Sequence, residues 1–221
     1  MMRKPKLTFK FNWKYVTGEI LLIFIGINLA IWFNNWNTSK KSTRDKQVAI
    51  TKIREEIKNN IVELKTTSEK NQQFLEAYSA YENVYHLNTN EIITSSKHFQ
   101  TLQKTYPDFY SPADSSVTKD GLYHYTGKTH IKLELADLSE IAWETTRSTG
   151  ITNEFNYECL FELASLYNLQ QIAQQEIDKV LDIVQNEGIE ELISKLKFIK
   201  QFEDQLEFGY ENGLNIIDDC Q

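Results

Sequence analysis

The chain has 221 residues, 41% of them apolar, 12% aromatic and 25% charged, with three prolines and two cysteines. That length supports one ordinary domain with an appendage, and a formal charge of −7 argues against a nucleic-acid partner. Two cysteines, Cys159 and Cys220, exclude a disulfide scaffold and an all-cysteine zinc site, and leave open whether they pair.

Charge is spread unevenly. Residues 1–14 carry Arg3, Lys4, Lys6, Lys10 and Lys14 and no acid, which leaves the other 207 residues at −12. This basic leader ends at an apolar run from Ile20 to Phe33 in which Asn28 is the one polar side chain. The run alone is short for a membrane span, but its flanks extend it. Trp13 and Tyr15 precede it and Trp32 and Trp36 close it, placing amphipathic rings at both ends of a helix about 34 Å long. No small-x-small cleavage site follows, because Asn34-Asn35-Trp36-Asn37 is bulky, so an uncleaved signal anchor over residues 15–37 is expected. Basic residues near the run are nearly balanced, with Lys6, Lys10 and Lys14 on one side and Lys40, Lys41, Arg44 and Lys46 on the other. A short leader before a first hydrophobic segment stays inside, so the N-terminus is expected in the cytoplasm and the acidic body outside.

Within the anchor, Gly26 lies seven positions and Ala30 eleven positions after Glu19, so at 100° per residue all three fall within about 20° of one line. Gly26-x-x-x-Ala30 is a small-residue contact that lets two helix backbones approach closely. A carboxylate on that line suits a partner helix; the alternative is that Glu19 snorkels to the interface beside Lys14 and Tyr15.

The stretch from Tyr15 to Asn37 resembles the opening of a bacterial single-pass family of unknown function, abundant in Bacteroidota. Its members begin with a GEI, aliphatic run, GI-x-IA and NNWN signature. Gly18, Glu19, Ile20, Gly26, Ile27, Ala30, Asn34, Asn35, Trp36 and Asn37 match it, while Asn28-Leu29 departs from the usual aliphatic pair. Trp143, Ser148-x-Gly150, Leu160, Tyr167 and Gln170-Gln171 give a weaker second match to that family's helix, glycine turn and helix. The resemblance implies a membrane-anchored protein of the bacterial envelope and brings no activity with it.

After Thr43 the pattern is helical. Ile50, Ile53, Ile57, Asn60, Leu64, Thr67, Asn71, Phe74, Tyr78, Tyr81 and Tyr85 follow steps of three and four residues, which fits either a coiled-coil seam or the buried face of a long bundle helix. The polar middle of that seam, at Asn60, Thr67 and Asn71, lowers stability and can fix register. No proline or glycine interrupts residues 38–90, so the anchor is expected to run on as a stalk, with fraying at 34–39. Residues 38–104 are read as this long helix and a short one over 90–104 that stops at Tyr106-Pro107.

Residues 105–133 change character, with Pro107, Pro112, Gly121, Gly127 and five rings at Tyr106, Phe109, Tyr110, Tyr123 and Tyr125. They are read as an aromatic loop, or as a small hairpin of Tyr123-His124-Tyr125 against His130 to Leu135 with its turn at Thr126-Gly127-Lys128. So many rings suggest a partner surface unless they pack back onto the fold. Residues 134–221 complete the body with a helix over 134–148 ended by Gly150, another from an Asn153 cap to Gly188, and a last one carrying Leu192, Leu196, Ile199, Phe202, Leu206 and Tyr210. The expected fold is mainly α: one N-terminal transmembrane helix, then an antiparallel helical bundle with a long aromatic-rich loop.

Chemistry is sparse. Gly121-x5-Gly127-Lys128-Thr129 has five residues where a Walker loop needs four. Glu158 and Glu162 are one turn apart, but no histidine follows His130 to complete a di-metal set. Cys159 has no histidine on its helix and reads as a small buried residue. No convergent acid, base and nucleophile emerges, so neither an enzyme nor a cofactor is expected. The expected partners are the lipid bilayer and either a second copy or another membrane protein. The leading reading is an accessory or scaffold subunit, and the alternative is a ligand-binding sensor that signals through a separate membrane partner.

Overall fold

The structure, a computed structural model, describes residues 13–86, 89–186 and 188–220. Of the basic leader only Trp13 and Lys14 fall among the described residues. One helix, α1, runs without interruption from Trp13 to Tyr81. Two short strands follow, β1 (Tyr85–His86) and β2 (Glu91–Thr94), then α2 (Ser96–Thr105), β3 (Tyr110–Val117) and β4 (Tyr123–Thr129). After a stretch outside any helix or strand come α3 (Ile141–Ser148), a short 3-10 turn at Ile151–Glu154, α4 (Tyr157–Asn186) and α5 (Ile189–Ile216).

No fraying interrupts α1 at 34–39. Its two halves differ in what surrounds them. Residues 13–41 are exposed apart from half-buried Val16, whereas the seam from Ile50 to Tyr81 is buried at every position expected of it. The seam packs on the rest of this chain. Arg54 meets Asp218, Lys65 meets Glu207 and Ser68 meets Glu203, so α5 runs against α1. Gln170 on α4 bonds Tyr210 on α5, and Glu176 bonds Lys195, so α4 and α5 are also opposed. Glu56 pairs with Tyr167 and Asn60 with Gln170, which sets α4 parallel to α1. Leu64, Leu163, Leu192, Leu206 and Ile217 are at most 1% exposed, each such side chain contributing roughly 1.5–3 kcal/mol. The three helices close up at Gly213, where a Cβ would stand 2.7 Å from Leu166 Cδ2 and 3.7 Å from Ile57 Cδ1.

A parallel α4 requires the chain to travel back along α1, and residues 131–140 do so outside any helix or strand, where a helix over 134–148 was expected. Two α1 amides hold them. Asn71 donates from Nδ2 to the Glu134 carbonyl (2.8 Å) and accepts from the Glu134 N–H (3.0 Å). Asn60 does the same to Ser139, at 2.7 and 2.9 Å. The helix therefore starts only at Ile141, and no side chain of its own caps it.

The far end of α1 carries an antiparallel sheet in the order β1-β2-β4-β3. A hairpin does form within 105–133, but not the expected one: residues 123–129 pair with 110–117, and 130–135 is not a strand. β3 and β4 join across Thr118–Leu122, with Gly121 at φ +77°, and Gly127 sits within β4 opposite Pro112. A Cβ at Gly127 would stand 2.9 Å from both Pro112 Cα and the Tyr110 ring, which explains the glycine. Pro112 and an adjacent bulge sit on the β3 edge, where a missing N–H disturbs no ladder. Helix α2 begins at Ser96, with Ser95 accepting from the His98 N–H, because residues 91–94 are held by β4. It stops before Tyr106-Pro107, as expected. Helix α4 begins after Asn156, which accepts from the Cys159 N–H at 2.7 Å, and not after Asn153, which lies in the 3-10 turn. Gly150 ends α3 at φ +74°.

Candidate functional site

The apolar N-terminal half of α1, long and apolar enough to cross a membrane, displays the expected anchor residues on an exposed helix. Trp13 and Tyr15 are each 71% exposed, Trp32 63% and Trp36 45%. Trp32 stacks on Trp36 at 6.4 Å, and the Lys40 ammonium lies 4.0 Å over the Trp36 ring, where the chain would leave a bilayer. Glu19, Gly26 and Ala30 are all exposed on the unbroken helix, and a Cβ at Gly26 would meet nothing within 4 Å. The polar groups here turn inward on their own helix. Thr17 Oγ1 donates to the Trp13 carbonyl and Asn28 Nδ2 to the Phe24 carbonyl, as a helix in lipid requires.

The aromatic residues of 105–133 do not form an open surface. Phe109, Tyr110 and Tyr125 are 3%, 0% and 8% exposed, while Tyr106 and Tyr123 are half-buried. Phe109 packs 4.8 Å from the Tyr81 ring and 6.0 Å from Phe74, and Tyr125 stacks on Phe99 at 3.7 Å. Tyr110 donates its hydroxyl toward the Asn90 and Tyr125 carbonyls, and burial beside Tyr85 pushes its phenol up to about 12. The rings are the core joining sheet to helix. The expectation of a partner loop at Phe109, Tyr110 and Tyr125 fails because α1 and α2 supply the apolar cover that a solvated connector would lack.

A second node, unforeseen from sequence, centres on Glu56, which is 7% exposed. Its carboxylate accepts from Ser139 Oγ (2.9 Å), the Ala142 N–H (2.7 Å), the Trp143 N–H (3.3 Å) and the Tyr167 hydroxyl (2.7 Å). Glu56 thus caps α3 from another helix, where a negative charge meets the positive end of the peptide dipoles. Burial, reinforced by the Glu56 carboxylate, pushes the Tyr167 phenol far above its ordinary value. The Trp143 ring stacks on Tyr167 at 5.2 Å. These residues lock the fold, and Glu56, Ser139 and Ala142 also line an open cleft of about 500 Å³ beside α1.

Cys159 and Cys220 form a disulfide with Cα atoms 5.4 Å apart, within the usual range for such bridges. Cys159 is buried, as expected of it, and the pairing that the sequence left open is made. The bridge ties the start of α4 to the end of α5. Glu158 and Glu162 are exposed, His130 bonds Ser111 Oγ at 2.9 Å, and His124 pairs with Glu91 at 3.2 Å. Among the described residues no three His, Cys, Asp or Glu side chains converge as a metal site.

A cleft of about 630 Å³ lies between α1, the α2–β3 turn and residues 130–134. Phe74 and Phe109 floor it, and Lys70–Glu134 (2.6 Å) and Lys132–Asp108 (3.0 Å) pair on its rim. Tyr106, one of the sequence candidates, is part of its wall.

Residues 19–118 match the family of unknown function DUF6090. The match runs from Glu19 in the anchor through β3, and so includes most of α1, the first strands and α2. No curated protein and no solved structure matches the chain.

Proposed function

We propose that this chain is a single-pass protein of a bacterial inner membrane, with its N-terminus in the cytoplasm and its body in the periplasm, acting as an accessory or scaffold subunit. The observation that carries the reading is the single uninterrupted α1, which joins a bare apolar segment bracketed by aromatic rings to a well-packed body. A helix with no break at 34–39 transmits position and rotation from one end to the other, which suits an assembly role. The Cys159–Cys220 bridge supports the orientation, because disulfides persist in oxidising compartments and are rare in the cytosol. Helix-to-helix contact along Glu19, Gly26 and Ala30 is the proposed mode of association, with a second copy or another membrane protein.

The test is to alkylate thiols in intact cells before lysis, then compare gel mobility with and without reductant after protease treatment of spheroplasts. An oxidised body digested from outside, with the protein kept in the membrane after alkaline wash, supports the reading. Two free thiols in a body that only lysis exposes to protease would reverse the orientation.

The cleft between α1 and residues 130–134 favours a second reading, a ligand-binding sensor, since a rigid α1 would connect an occupied cleft to the anchor. In that reading a separate membrane partner carries the output.

A further inference from the structure

Between two fixed points, the wall of the large cleft offers a length of unpaired backbone. The His130 N–H donates to the Phe109 carbonyl at 2.8 Å, and Asn71 clasps both backbone groups of Glu134. The three residues between them, Ile131, Lys132 and Leu133, make no backbone hydrogen bond to any described residue. They belong to no helix, strand or turn, Ile131 and Lys132 are exposed, and all three line the cleft. Non-helical backbone with free donors and acceptors can pair with one more strand.

The rest of the cleft suits such a guest. Its volume lies within the span of small-ligand pockets, about 300–1,000 Å³. The floor is made of the Phe74 and Phe109 rings, which would receive every second side chain of a strand laid along 131–133. The rim presents charges of both signs, Lys70 and Lys132 against Glu134 and Asp108, each more than a third exposed and free to exchange its present partner for one on the guest. Height excludes lipid as the occupant. Gln73, on the cleft wall, lies 37 residues past Trp36 on one unbroken helix, roughly 55 Å along its axis from the proposed membrane interface.

We propose that this cleft binds an extended peptide segment of a partner protein, added as a strand against residues 131–133, with an aliphatic or aromatic side chain on the Phe74 and Phe109 floor. This deepens the sensor reading and does not depend on orientation in the membrane. Main-chain hydrogen bonds would supply affinity and the ring-lined floor would supply choice of side chain, as in other strand-addition sites.

The test uses the full chain in detergent. Random linear peptides are selected on it, and the enriched sequences are measured by fluorescence anisotropy. Gln73→Trp, which adds bulk to an exposed position on the cleft wall, is expected to weaken them by at least about tenfold while melting as the wild type does. Val62→Trp, at a 65% exposed position elsewhere on α1, should leave them unchanged. N-methylation of alternate peptide nitrogens should abolish binding in one phase and spare it in the other. Failure to enrich any sequence, equal binding to Gln73→Trp, indifference to N-methylation, or displacement by free amino acids would each overturn the proposal. If peptides bind but leave anchor crosslinking unchanged, the site stands and the sensor reading falls.

Discussion

Along α1, exposed polar side chains bond their own helix in both halves, as Thr17, Asn28, Thr51 and Thr66 do, whereas buried ones of the body half reach away from it. Thr17 and Asn28 bond carbonyls one turn back on their own helix, which would satisfy these two groups on a segment that faced lipid. Glu56, Asn60, Ser68 and Asn71 reach off the helix, to the start of α3, to the returning segment and to Glu203. The backbone is the same in both halves, and the surroundings decide the use. In lipid a polar side chain has nothing else to bond, whereas in the body it can hold irregular backbone that would otherwise be buried with unmet hydrogen bonds. The polar residues in the seam are therefore docking points within one chain, and the register they fix is that of residues 131–140.

The largest effect is expected from Glu56→Ala. It removes the cap of α3 and leaves the Tyr167 hydroxyl without its acceptor, at a cost of about 3 kcal/mol or more in chemical denaturation. Glu19→Gln, at the other end of the same helix, should leave that denaturation curve where it was. An equal loss from both would erase the distinction between the halves.

Next come Asn60→Ala and Asn71→Ala, each removing two hydrogen bonds to one residue of the returning segment. Each should cost about 1–3 kcal/mol, and hydrogen exchange should speed up at Ser139 in the first and at Glu134 in the second. Protection that survives both substitutions would show that the Ala136 and Leu138 side chains, which are buried, hold the segment by themselves.

Much of this was legible in the chain. The three-and-four spacing from Ile50 to Tyr81 marked the buried face residue by residue, because a helix that packs on one side has no other periodicity. The stops at Tyr106-Pro107 and Gly150 follow from local backbone chemistry. The returning segment was not legible, since Leu133, Leu135, Ala136 and Leu138 fit a helix as readily as a strand and only Asn60 and Asn71, more than sixty residues away, decide between them. The Glu56 node has the same character, a cap supplied 86 residues from the helix it serves. The aromatic cluster was visible as a cluster, but whether its rings face solvent or core depended on α2 and the far end of α1 lying over them. Replacing Phe109 by serine is accordingly expected to damage the fold, by about 3–5 kcal/mol, with no separable effect on a partner.

A smaller effect attaches to Glu203, whose only side-chain hydrogen-bond partner among the described residues is the Ser68 hydroxyl on α1, at 2.6 Å. Burial raises its pKa, against the opposing pull of Ser68 and Lys200. With the folded pKa above the unfolded one, the folded state holds the proton more tightly, so stability falls as pH rises from the ordinary carboxylate range through the folded pKa. Glu203→Gln should keep an acceptor for Ser68, remove that part of the pH dependence and raise the melting temperature at neutral pH, by the equivalent of about 1 kcal/mol. A pH profile of melting identical to the wild type would mean that the carboxyl is not strained by its burial.

The smallest effect on the body belongs to Asn28→Leu, and it bears most directly on the difference between the halves. The Asn28 amide bonds the Phe24 carbonyl, and on a helical wheel it stands roughly 160° from both Gly26 and Ala30. If association runs through Glu19, Gly26 and Ala30, a leucine at 28 faces lipid on the opposite side. Body stability should then change by less than about 0.5 kcal/mol, and crosslinking of the anchor should be unaltered. Gly26→Leu, by bulk alone, should reduce that crosslinking, although modestly, since polar contacts between membrane helices average about 0.6 kcal/mol and close packing has to supply the rest. A loss of crosslinking from Asn28→Leu with none from Gly26→Leu would move the partner to the other face, and would mean that the membrane half, like the body half, uses its amide to hold something beyond its own helix.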